Sequence, residues 1–261
     1  MNRLDPIIAS TRREVAERRQ ATPMPDLEAA AAKRYTAGDA RSFADAVARP
    51  GLSLIAEHKR RSPSAGAIRE DLALEDVVWA YERGGAAALS ILTEGPSFGG
   101  SLEDLRLARR ASRLPLLRKD FIVDPYQVHE ASAAGADAIL LIVAALTPSE
   151  LSALHALASE LGLDVLVEVH DERELEAALE LGATILGINN RDLKTLEVDT
   201  GRTFELLSRT GDGALVVSES GFSRPEQLDE LAQAGVDGVL IGEALMRAGD
   251  VEAATRALTA R

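Results

Sequence analysis

The stretch Ala134-Gly-Ala-Asp-Ala-Ile-Leu-Leu-Ile-Val143 decides the fold. A helical pattern ends at Gly135, small residues turn the chain, and an unbroken apolar run follows. Glycine just past a helix end accepts the left-handed conformation that other residues resist. An apolar run without alternation is a strand buried on both faces, as a parallel sheet requires. The same order recurs at Arg83-Gly-Gly-Ala-Ala-Ala88, Leu181-Gly-Ala-Thr-Ile185 and Ala234-Gly-Val-Asp-Gly238.

Working outward, similar apolar runs lie at 52–57, 87–92, 115–118, 137–143, 164–169, 184–188, 214–218 and 237–241. Amphipathic stretches separate them, at 73–83, 101–112, 125–134, 148–160, 171–181, 200–209, 224–234 and 243–259. Thr147-Pro148, Ser149-Glu150 and Ser223-Arg-Pro-Glu226 carry the residues that start helices. Strands alternating with helices build a parallel sheet covered on both faces. Eight such units favour closure into a (β/α)8 TIM barrel. No G-x-G-x-x-G follows the first strand, as an open dinucleotide-binding sheet would want.

Residues 1–48 differ. Leu4, Ile7, Ile8 and Val15 recur at helical spacing, predicting a helix over roughly 5–20 that Thr22-Pro-Met-Pro25 stops. Further helices are expected at 26–35 and at 42–48, the latter capped by Ser42. The expected organisation is an N-terminal helical extension of residues 1–48 packed on a single catalytic barrel of residues 49–261.

Composition narrows the function classes. A net charge of −13 opposes non-specific nucleic-acid binding. An anionic ligand would then need local positive charge, and Lys59-Arg60-Arg61 and Arg118-Lys119 supply it. The longest apolar run, Ala138 to Leu146, is too short to span a membrane. Asp5, Arg12, Arg13 and Glu14 break any secretory apolar core. With no cysteine there is no disulfide and no thiolate nucleophile. A cytoplasmic location is expected.

The run Pro115-Leu-Leu-Arg-Lys-Asp-Phe121 places a lysine where a buried strand ends. Lysines are rarely buried without partners. In a barrel the C-terminal strand ends form the site. Those ends carry Glu57 and Lys59, Lys119, Glu168, Asn189 and Arg191, and Glu219. Any one pair could be a barrel-layer salt bridge. Seven such groups at one end are better explained as a catalytic mouth, because buried ion pairs stabilise weakly. Gly221 and Gly242 follow the last two strands, where barrels commonly hold phosphate on backbone N–H groups. His129 and His155 fall in helices, His58 faces the helix layer, and His170 lies just past its strand. No pair has metal-ligand spacing, so no metal is expected. Trp79 is expected to be a packing residue.

The runs Ile55-Ala-Glu-His-Lys-Arg-Arg-Ser-Pro-Ser64, Leu117-Arg-Lys-Asp-Phe-Ile122, Leu166-Val-Glu-Val-His170, Gly187-Ile-Asn-Asn-Arg-Asp192, Ser218-Glu-Ser-Gly221 and Ile241-Gly-Glu-Ala-Leu-Met246 closely resemble indole-3-glycerol phosphate synthases. The similarity extends over almost the whole chain. It implies indole-ring closure in tryptophan biosynthesis, with decarboxylation and dehydration of 1-(2-carboxyphenylamino)-1-deoxyribulose 5-phosphate and no cofactor. By motif, Lys119 would be the general acid and Glu168 the general base. Glu57, Glu219 and Asn189 would shape the site, and Lys59 would pair with Glu57. Arg191 would meet the anthranilate carboxylate. Ser62, Ser220, Gly221, Gly242 and the Glu243 backbone would hold the phosphate, with Leu92 and Phe98 walling the aromatic ring. Other enzymes of tryptophan biosynthesis are among the partners the resemblance suggests. His58 stands where an aliphatic residue is expected, and Glu243 beside a phosphate looks adverse. Rival readings are a Schiff-base aldolase with Lys119 as nucleophile, a sugar-phosphate isomerase, and a barrel that only binds a phosphorylated ligand.

Overall fold

The computed structural model describes residues 4–211 and 213–260. Its strands are β1 (Ser53–His58), β2 (Ala88–Leu92), β3 (Leu116–Lys119), β4 (Ala138–Ile142), β5 (Asp164–Val169), β6 (Ile185–Asn189), β7 (Leu215–Glu219) and β8 (Gly238–Ile241). They pair in parallel in chain order, and β8 pairs with β1 to close the barrel. Every strand lies within a residue of its expected bounds. A short hairpin of Arg61–Ser62 with Gly66–Ala67 follows β1.

The helices are α1 (Leu4–Ala21), α2 (Met24–Thr36), α3 (Phe43–Val47), α4 (Leu74–Arg83), α5 (Leu102–Ala111), α6 (Pro125–Ala134), α7 (Pro148–Glu160), α8 (Glu172–Glu180), α9 (Gly201–Leu207), α10 (Pro225–Ala234), α11 (Glu243–Met246) and α12 (Val251–Thr259). Gly135 ends α6 at φ +97°, in the left-handed region its position requires. The last expected helix is two: Gly249-Asp250 interrupts it, and Asp250 caps α12 by accepting from Ala253 N. Trp79 is not core. It is 44% exposed and its Nε1 donates to Ala111 O at 2.8 Å, bracing α4 to α5.

Period-two alternation divides each strand between two cores. Leu54, Ala56, Leu89, Ile91, Leu116, Val165 and Val167 face the surrounding helices. Ile55, Leu117, Leu166, Ile185 and Val217 fill the barrel interior, where Phe43 and Val47 of α3 join them. Four of these interior residues have a charged group two positions on, toward the C-terminal mouth: Ile55 then Glu57, Leu117 then Lys119, Leu166 then Glu168, Val217 then Glu219. The strand that packs the interior therefore also aims the site.

Candidate active site

A cavity of about 440 Å³ opens at the C-terminal mouth, a size suited to a small metabolite. Every site residue expected from sequence lines it: Glu57, Lys59, Ser62, Leu92, Phe98, Lys119, Glu168, Asn189, Arg191, Glu219, Ser220, Gly221, Gly242 and Glu243.

Lys119 Nζ lies 3.4 Å from Glu168 Oε2 and 3.3 Å from Glu219 Oε2. Burial works against its charge, but the carboxylates of Glu219, Glu168 and Glu57 outweigh that and hold the ammonium pKa above its ordinary value, with Glu168 and Glu57 carrying the charge once Glu219 is protonated. Lys119 is a cation here. Glu57 Oε1 pairs with Lys59 Nζ at 2.8 Å. Burial alone would raise the Glu57 pKa, yet Lys59 and Lys119 bring it below the ordinary carboxylate value.

The two carboxylates beside Lys119 are driven apart. Burial would raise both. For Glu168, the charges of Lys119 and the nearby His170 ring, with the Asn189 amide, more than offset burial and hold the pKa well below normal. For Glu219 burial prevails over Lys119, with repulsion from Glu168 added, and its pKa rises to about 8. Glu219 Oε1 has no hydrogen-bond partner and is buried. Gly187 makes room for it, because a Cβ on Gly187 would collide with that oxygen. One ionised and one neutral carboxyl within reach of one ammonium is an arrangement able to run acid and base steps together.

Asn189 is oriented by its neighbours. Its Oδ1 accepts from Arg191 N at 3.0 Å and from Ser220 Oγ at 2.9 Å, which leaves the amide nitrogen for Glu168. Ser220 takes φ +66° to make that contact, a conformation unfavourable for a side chain by about 1–3 kcal/mol. Next to it, Asn190 is fully buried and turned away from the cavity. Its Nδ2 donates to Glu219 O and Ser220 O, and its Oδ1 accepts from Thr203, clamping the exits of β6 and β7. Arg191 Nη1 donates to Leu196 O at 2.9 Å, fixing the guanidinium against its own loop.

Among the residues expected to meet the phosphate, Ser62 Oγ accepts from Ala65 N at 3.2 Å. The carboxylate of Glu243 pairs with Arg247 Nε at 3.0 Å, which removes the objection to an acid beside a phosphate. A Cβ on Gly242 would lie 2.5 Å from Glu57 Oε1, so this glycine also gives Glu57 its space. The helix that follows, α11, is a single turn of four residues.

Sequence reasoning missed several residues. Phe121 lines the cavity and lies 6.4 Å from Phe98, centroid to centroid, widening the aromatic wall. Leu4 and Ile7 of α1 also line it. His170 lies past its strand as expected, yet its Nε2 is 3.2 Å from Glu168 Oε1. The parity it shares with Glu168 was the available signal. His58 is buried on the helix side, and burial with the nearby Arg60 pushes its pKa down to about 4.

A family model described as indole-3-glycerol phosphate synthase matches residues 4–258. An indole-3-glycerol phosphate synthase of Nocardioides is 48% identical over 259 residues, covering 99% of this chain and 98% of that protein. The indole-3-glycerol phosphate synthase 2 of Streptomyces coelicolor is 52% identical over 211 residues, covering 81% and 82%. Among solved structures, a mutant tryptophan synthase α-subunit of Pyrococcus furiosus superposes with a TM-score of 0.62 at 16% identity, over 81% of this chain and 99% of that one. That likeness is one of fold alone. By model and relatives together, the chain belongs to the indole-3-glycerol phosphate synthase family.

Proposed function

We propose that the chain is a carboxy-lyase that converts 1-(2-carboxyphenylamino)-1-deoxyribulose 5-phosphate into indole-3-glycerol phosphate, CO₂ and water. The observation that carries this is Lys119, held as a cation between Glu168 and Glu219 in the family's barrel mouth. The ring carbon bearing the carboxylate attacks the ketone carbon, and Lys119 protonates the ketone oxygen as the C–O π bond breaks. The resulting iminium takes up the electron pair of the carboxylate bond, and CO₂ leaves. Lys119, reprotonated from solvent, protonates the new hydroxyl, which leaves as water while Glu168 removes the neighbouring carbon-bound proton, completing the indole. Each acid–base contribution is worth about 10²–10⁴-fold.

Arg191 meets the anthranilate carboxylate, and Leu92, Phe98 and Phe121 wall its ring. Ser62, Ser220, Gly221, Gly242 and the Glu243 amide take the phosphate. Lys59, paired with Glu57, brings the cationic charge that an anionic substrate needs on a chain of net charge −13. Residues 1–48 serve as an extension on the catalytic barrel of residues 49–261, contributing Leu4 and Ile7 to the cavity wall. This reading takes the enzyme to be cytoplasmic, with neither nucleic acid nor membrane as partner. Among the described residues no helix is long and apolar enough to cross a membrane.

Supplying the ribulose phosphate substrate and following indole fluorescence tests the reading. Fluorescence should rise with wild-type protein and stay flat with Glu168→Gln. Folded wild-type protein that yields no indole product overturns it.

A further inference from the structure

Glu168 is 1% exposed, and its two oxygens face different neighbours. Oε2 faces Lys119 in the cavity, and Oε1 faces the ring of His170. Behind that ring stands Glu174 of α8, whose Oε2 lies 3.0 Å from His170 Nδ1 and also accepts the His170 backbone N–H at 2.8 Å. Both ring nitrogens thus face carboxylate oxygens, an environment that suits the doubly protonated imidazolium. Burial disfavours that cation, but Glu168 and Glu174 prevail and raise its pKa to about 10. The contact to Glu168 is an ion pair rather than a well-aligned hydrogen bond, since Nε2 meets no hydrogen-bond geometry.

We propose that His170 is a positioning residue: clamped by Glu174, its imidazolium holds Glu168 ionised and turned toward Lys119. The inference rests on Glu168 acting as the base in ring closure. A base at neutral pH must start each turnover without its proton. Glu219, equally buried but lacking such a cation, takes the neutral form instead. His170, together with the Asn189 amide, therefore distinguishes Glu168 from Glu219, the two carboxyls that share one lysine. Other charged groups near the ring are Asp171 and Glu172 at the start of α8 and Arg202 and Glu205 on α9, which line a small cavity beside it. Beyond Glu168 stand Lys119, Asn189 and Glu219.

The test is the pH profile of kcat/KM for wild type, His170→Asn and Glu174→Gln, with Glu168→Gln as control. Removing the imidazolium should move the acid limb to higher pH, and kcat should fall about 10- to 100-fold at little change in KM. Glu174→Gln still accepts the backbone N–H and should show the same shift in smaller degree, even if His170→Asn folds poorly. An unmoved acid limb in both variants, with or without lost activity, overturns the positioning role. An active Glu168→Gln would instead overturn the assignment of Glu168 as base.

Discussion

Arg18 Nε stands 2.7 Å from Glu130 Oε1, tying α1 to the helix behind the strand that carries Lys119. Glu130 Oε2 in turn faces Arg118, which is 1% exposed and also reaches Asp120, Thr93 and the Gln127 carbonyl. Arg118 precedes Lys119 and points to the opposite side of β3. The N-terminal helices are thereby joined through two ion pairs to the back of β3. Glu130→Ala leaves a buried guanidinium short of one counter-charge and should cost about 3 kcal/mol. Arg18→Ala, at a third-exposed position, should cost less than about 1 kcal/mol. Urea unfolding of both variants checks the order; equal losses would refute it.

Truncation should separate two roles of residues 1–48. Phe43 and Val47 are fully buried inside the barrel, and Phe43 N and Ala44 N donate to Asp164 at 2.9 Å. Burying each such side chain is worth about 1.5–3 kcal/mol. Deleting residues 1–36 should leave a cooperatively folding barrel with impaired turnover, whereas deleting 1–48 should lower stability sharply. Melting curves and activity of the two forms decide it.

These roles show where sequence reading stops. The barrel was legible because each βα unit writes its own signature: glycine stop, apolar run, helix start. The site was legible because Glu57, Lys119, Glu168 and Glu219 interrupt those runs at their ends. What could not be read was contact between distant segments. Nothing local says that α3 plugs the interior, that Gly187 clears space for Glu219, or that Glu174 holds His170. Such contacts depend on shear and register, and periodicity carries only which face a residue takes.

The Glu219 carboxyl predicts a pH dependence of stability. Its pKa is raised by burial to about 8 in the folded protein, against about 4.3 for an ordinary glutamate. Between those values the fold retains a proton that the unfolded chain has released. Its contribution is fully present below about pH 4 and is lost as pH rises through about 8. Over that window wild-type stability should fall relative to Glu219→Gln, by at most about 1.4 kcal/mol per pH unit. Urea titrations at several pH values test this, and parallel curves for the two proteins would count against it.

The proposed phosphate site is best probed at a residue other than Gly242. A side chain there would press on Glu57, so loss of activity would not report on phosphate. Ser62 is the cleaner probe. Inorganic phosphate should raise the melting temperature of the wild type and compete with substrate. Ser62→Asp should abolish both effects and raise KM at least about tenfold, by placing like charge against the ligand. Unchanged phosphate protection in Ser62→Asp would put the anion elsewhere.

Lys119 decides between ring closure and the aldolase-like rival. A Schiff-base lysine must begin neutral, which requires desolvation without compensating charge. Here the ionised Glu168 and Glu57 hold the ammonium even while Glu219 keeps its proton, so the starting state is the acid. Lys119→Met keeps most of the side-chain volume and removes the proton donor. Turnover should fall by at least about 10²-fold, while substrate affinity, measured by fluorescence titration, changes only modestly. Borohydride added with substrate should leave the wild-type mass unchanged. A substrate-dependent mass increase mapped to Lys119 would overturn the acid role and make this lysine a nucleophile.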